Sequence, residues 1–170
     1  MKNKEIKKSE INLHINSLSN AYSSFSDFEQ GVTILDDKLL TFVEESAKDA
    51  GYVDELELKI NINGEVNKTE CETFKTNFKN YYKRNIEDTK KDILKLNIIS
   101  WSLLLIGVGL LVILQLLQNI HAPFIIETIM EICAWVFVWE FVDTFFFRKI
   151  EHRTKIRFYK LLQNAIITVY

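Results

Sequence analysis

No glycine-rich phosphate loop, HExxH, CxxC or nucleophile elbow occurs in the 170 residues of this chain. The chemistries that those motifs carry are therefore not expected, and the chain is not read as an enzyme. Histidine is scarce: His14, His121 and His152 fall on an expected strand, a loop and a helix, where they cannot meet at one metal. No cofactor is expected. The two cysteines, Cys71 and Cys133, lie on opposite sides of an apolar segment, so both are read as free thiols rather than a disulfide. The start, MKNKEIKKSE, is too polar for a signal peptide. Charge is the most telling absence. From Leu96 to Ile126 there is no Asp, Glu, Lys or Arg at all.

An apolar run of about 18 residues or more is a transmembrane candidate. A net charge of −2 averages two unlike halves. A first span is expected over about 98–117, with Trp101 near one end as an interface anchor. QNIHAP then breaks the run, with Pro123 suited to open a new helix. A second span over about 124–147 would fold back as an antiparallel hairpin. Lys79, Lys83, Arg84, Lys90, Lys91 and Lys95 precede the first span. Arg148, Lys149, Arg153, Lys155, Arg157 and Lys160 follow the second, and the link between has no Lys or Arg. By the positive-inside rule both termini are cytosolic, which describes a multi-pass protein of a cell (inner) membrane.

The second span carries four acids, and one at the centre of a lipid-facing helix costs about 2.5–3.5 kcal/mol. With Glu131 set to zero on a helical wheel, Glu127 falls at about −40°, Asp143 near about 120° and Glu140 near about 180°. Two groups result: Glu127 and Glu131 in the outer half, Glu140 and Asp143 in the inner half. In a hairpin turning near residues 120–121, Asp143 comes level with Asn97, and Lys95 can snorkel to it. Glu140 lies level with Trp101 and reaches Ser100 or Arg148 only with effort. Glu131 meets Leu110 and has no polar neighbour, which argues for an oligomer, and for one enclosing a hydrated path. Two other readings stay open: a second span that starts late, with its outer acids in the headgroups, and a surface helix. Ser100 with Gly107 and Ser102 with Gly109 recur every seven residues, where small residues let helices approach.

The polar half alternates. EINLHIN (10–16) and ELELKININ (55–63) each set apolar residues on one face against polar ones on the other, as half-buried strands do. Between them DDKLLTFVEESAKDAG reads as a helix capped by Asp36 or Asp37 and stopped at Gly51. Thr69 is placed to cap a long helix in which Phe74, Phe78, Tyr82 and Ile86 recur every fourth residue, running without Gly or Pro into the first span. AIITVY closes the chain as a short strand. Strand–helix–strand connectivity makes the first two strands parallel. Their polar face, with Asn12, His14, Lys59 and Asn61, is solvent-exposed, or else a ligand or subunit surface. Residues 17–30, rich in Ser and aromatics, form either a plain connector or a ligand loop. The basic helix after Phe147 serves as a positive-inside anchor on anionic lipids, or as a collar for a nucleotide or nucleic acid: Arg148, Lys149, Arg153, Lys155 and Arg157.

The expected fold is thus an α+β membrane protein. A cytosolic α/β domain (1–67) and a long helix (68–95) lead to a transmembrane hairpin (96–147), followed by a basic helix and strand (148–170). Ser17-Leu18 with Tyr22 and Ser24, then Trp135, Val136, Trp139 and Asp143, resemble a group of small bacterial two-span hairpin proteins with a short cytosolic α/β domain. That design is similar to membrane effectors of bacterial antiviral systems. The resemblance implies a homo-oligomeric pore controlled by its cytosolic domain; the alternative is a membrane-anchored scaffold that recruits a partner protein. A lipid-modifying or transport-accessory subunit is a third class. Members of the group can carry a basic residue and a proline where this chain has Glu140 and Phe141, so a fixed selectivity role does not carry over to Glu140.

Overall fold

The computed structural model describes residues 7–24, 26, 33–51, 53–62, 67–119 and 123–170. His121, the link around it and part of the Ser-rich segment lie outside the described residues. Two compact units emerge: residues 1–86 together with 157–170, and residues 87–156.

The first unit is built on a three-stranded, wholly parallel sheet in the order β1-β2-β3, where β1 is Lys8–Ile15, β2 Glu55–Ile62 and β3 Ile166–Val169. Alternation decides its faces. Ile11, Leu56, Leu58, Ile60 and Ile167 point into the core, and pairing sets Ile11 beside Leu58 and Leu58 beside Ile167. Between β1 and β2 lies α1, Asp37–Asp49. Asp36 caps it, its carboxylate accepting from the amides of Lys38 at 2.8 Å and Leu39 at 3.3 Å. Gly51, at φ +72°, supplies the left-handed turn after it that residues with a Cβ resist. Leu39, Leu40, Val43 and Ala47 are buried, the stripe expected from the sequence.

The long helix α2 runs unbroken over Lys68–Asn119. Its cap is Asn67, whose side chain accepts from Thr69 N at 3.0 Å, and not Thr69 itself. Thr69 instead lies within the first turn, and its carbonyl accepts from the Thr73 hydroxyl. In the first unit Phe74, Phe78 and Tyr82 of α2 are fully buried, their ring centres 6.0 and 5.0 Å apart in tilted and edge-to-face contacts. Leu162, near the end of helix α4 (Lys149–Gln163), completes this core. Leu18, Ala21 and Tyr22 of the Ser-rich segment are core residues as well, so its start is structural.

The second unit is helical. It contains the rest of α2, α3 (Phe124–Val142), a π-helical turn (Asp143–Arg148) and the start of α4. The π turn replaces the uninterrupted helix expected from Phe124 onwards. Contacts between α2 and α3 run in opposite senses: Gly107 sits against Ala134, Phe137 and Val138, and Trp101 against Phe141 and Phe145. Ser100, Gly107 and Leu114 form the buried line of α2, seven residues apart. Of the two small-residue pairs, Ser100 with Gly107 therefore faces α3, and Ser102 with Gly109 lies open.

Among the described residues one helix, α2, is long and apolar enough to cross a membrane by length and composition. Only 11 % of its most apolar stretch is buried, unlike the core helix of a globular domain. In α3, Glu127, Glu131 and Glu140 interrupt an otherwise apolar sequence of 19 residues.

Candidate functional site

Charged groups converge where the π turn begins and ends. Arg148 donates from Nε to Asp143 at 3.1 Å and from a terminal nitrogen to Glu140 at 3.0 Å. Five residues along an α-helix are about 140° apart, whereas a π turn hydrogen-bonds i to i+5 and brings such residues into line. The turn thus makes the Asp143–Arg148 pair. A wheel drawn at 100° per residue cannot show it.

The expected partners of Asp143 are corrected by this geometry. Asn97 accepts instead from Lys149 at 3.0 Å, and Lys95 faces Asp92 at 3.7 Å on its own helix. Asp143 accepts instead from Arg148, five residues further along its own helix. Lys149 also lies over the ring of Phe145, 4.5 Å from its centre. Glu140, expected to reach Arg148 only with effort, accepts from it at 3.0 Å.

Thr144, one residue into the turn, is 1 % exposed, and its hydroxyl has no hydrogen-bond partner among the described residues. Thr73, Thr76, Ser100, Ser102, Thr128 and Thr154 each donate to the carbonyl four residues earlier. Thr144 lacks that bond.

Ile132, Trp135, Val136, Trp139 and Glu140 of α3, with Asp143 of the π turn, line a shallow open groove. These positions share a helical face, away from the Ala134, Phe137 and Val138 face that meets Gly107. Of the two outer acids Glu127 is half-buried and Glu131 exposed, and neither has an ion pair or hydrogen-bonded side chain among the described residues. Arg153, Lys155 and Arg157 are exposed on α4.

In the first unit the outer face of the sheet is open to solvent at Asn12, His14 and Asn61. Lys59 bridges to Glu10 on the neighbouring strand at 2.5 Å, and that bond raises its pKa above the ordinary lysine value. Thr168 donates to Glu57 at 3.2 Å across β2 and β3. These residues share one face of the sheet. Cys71 is buried and Cys133 exposed, both as free thiols. Among the described residues no three of His, Cys, Asp and Glu gather closely enough to hold a metal.

Comparison with protein families, curated proteins and solved structures finds no match to this chain.

Proposed function

We propose that the chain is a homo-oligomeric membrane pore of the bacterial inner membrane, controlled by its cytosolic α/β unit. The reading rests on one observation above others. Glu127 and Glu131 lack partners among the described residues, yet sit in an otherwise apolar helix. Unpaired carboxylates in a lipid-facing helix are costly, and facing water or a neighbouring subunit removes that cost. The exposed apolar surface of α2 supports a span there, and its contacts with α3 support a second, antiparallel one. With basic residues flanking both spans, both termini lie in the cytosol. Glu127 and Glu131 then flank the outer part of the path. Glu140 and Asp143, tied to Arg148, stand at its inner end. The likeness to antiviral membrane effectors suggests a trigger arriving at the cytosolic side, and Arg153, Lys155 and Arg157 suit a nucleotide or nucleic acid.

Flux from liposomes tests the proposal. The reconstituted chain is expected to release a trapped ion or dye under at least one gating condition, and Glu131→Gln to change that release. Sealed liposomes throughout, or a strict monomer in a detergent-extracted mass measurement, sink it.

The uncovered polar face of the sheet favours a second reading, in which the helices only tether a scaffold that recruits a partner protein. It expects no flux, and partner capture that survives replacement of residues 96–147 by an unrelated anchor.

A further inference from the structure

Two carboxylates and one guanidinium close the groove of α3, so its charged end is one cation short. Glu140 and Asp143 both line the groove, and Arg148 bonds both. Lys149 does not supply the missing charge, being turned to Asn97 and the Phe145 ring. Beside the carboxylates stand Trp139 and Trp135, 67 % and 57 % exposed. Indole faces next to carboxylates are the chemistry that holds an ammonium group. Arg148 retains guanidinium N–H groups beyond the two already donated, and these suit a phosphate. Behind the charged end, Val136 and Ile132 continue the groove as hydrocarbon. From Ile132 to Asp143 the helix rises about 16 Å, close to half of a hydrocarbon core about 30 Å thick.

We infer that this groove binds a zwitterionic aminophospholipid of the inner leaflet, with an ethanolamine headgroup. Its ammonium lies against Glu140, Asp143 and Trp139, its phosphate against Arg148, and one acyl chain along Val136 and Ile132. The charge order selects this occupant. An anionic lipid brings no cation to the carboxylates, and a choline headgroup brings one that cannot donate a hydrogen bond to them. The inference rests on the membrane placement proposed above, with Glu140 and Asp143 at the lipid-facing rim of the inner end of the path rather than inside its lumen.

The test uses the full chain with Trp101→Phe, so that Trp135 and Trp139 alone report. It is reconstituted into phosphatidylcholine vesicles containing a fixed fraction of one brominated lipid, bearing an ethanolamine, glycerol or choline headgroup. The ethanolamine lipid is expected to quench tryptophan fluorescence at least about twofold more than the other two. Glu140→Gln with Asp143→Asn should remove that excess, while Glu127→Gln, outside the groove, should keep it. Wild-type chain extracted in detergent gives a second readout: the retained lipid should be chiefly of the ethanolamine class. Equal quenching by all three overturns the inference and leaves the membrane placement standing. Strongest quenching by the glycerol lipid overturns it in favour of the basic residues as the lipid site. No quenching from a chain that floats with the vesicles means that another subunit covers the groove, which also overturns it. A chain that fails to float overturns the membrane placement itself.

Discussion

Tyr82 puts a hydroxyl near the Glu44 carboxylate without a well-formed hydrogen bond to it. The side chain is fully buried among Phe78, Tyr81 and Tyr159. Burial first, and the Glu44 charge second, raise its pKa well above the ordinary tyrosine value. Tyr82→Phe keeps the ring and removes the unsatisfied group, so it should leave stability unchanged or raise it by up to about 1 kcal/mol. The sign of the pH effect follows. Above about pH 10 an unfolded tyrosine ionises while Tyr82 in the folded chain does not, so stability falls as pH rises. The phenylalanine variant should lose less in that range. Amide exchange of β2 in the solubilised full chain, at pH 8 and pH 11, measures both effects. Tyr82 was legible in the sequence as one of the fourth-residue aromatics, but its missing partner was not, because satisfaction depends on neighbours brought from α4. Arg148 was named as a reach for Glu140 and as part of the basic collar, but its link to Asp143 was not, because it spans five residues, a spacing that a π turn aligns.

At the scale of elements, capping and close approach make separate predictions. Asp36 and Asn67 each occupy amides at a helix start. Asp36→Ala and Asn67→Ala should each cost about 1 kcal/mol, read from denaturant unfolding of the first unit by amide exchange. The two glycines of α2 should respond in opposite ways. A Cβ on Gly107 would stand 3.1 Å from Val138 Cγ2, 3.3 Å from Phe137 Cβ and 3.4 Å from the Ala134 carbonyl oxygen. At Gly109 nothing lies within 4 Å. Gly109→Ala should therefore gain up to about 1 kcal/mol from helix propensity. Gly107→Leu should lose about 1–3 kcal/mol by overpacking, seen as a lower thermal midpoint in detergent. The strands, α1 and the continuity of α2 were legible because hydrophobic period and caps are local. Which small-residue pair faces α3 was not, since both pairs repeat every seven residues and only tertiary contact separates them.

The chain as a whole is assembled in an order that its sequence does not follow. The first unit takes residues 1–86 and 157–170, so its sheet gains β3 only after the whole second unit has been made. Without β3, one edge of β2 is unpaired and Leu58 and Ile60 lose the cover of Ile167 and Val169. That dependence makes the first unit a candidate for excision, because its two cut ends start near each other. The rings of Tyr82 and Tyr159 are 5.8 Å apart, four residues before one cut and two after the other. Replacing residues 87–156 by about eight Gly and Ser residues, which reach about 15 Å on average, should give a folded soluble domain. Its circular dichroism should show one cooperative thermal transition, and β2 amides should exchange as slowly as in the full chain. The same linker with residues 164–170 removed should lose that protection, since β2 is then left with an unpaired edge and its buried residues lose Ile167 as a neighbour. If the excised domain aggregates or exchanges freely although β3 is present, the first unit draws its stability from residues 87–156. Any control of the second unit by the first would then have to be sought in coupled folding rather than in the movement of a preformed domain.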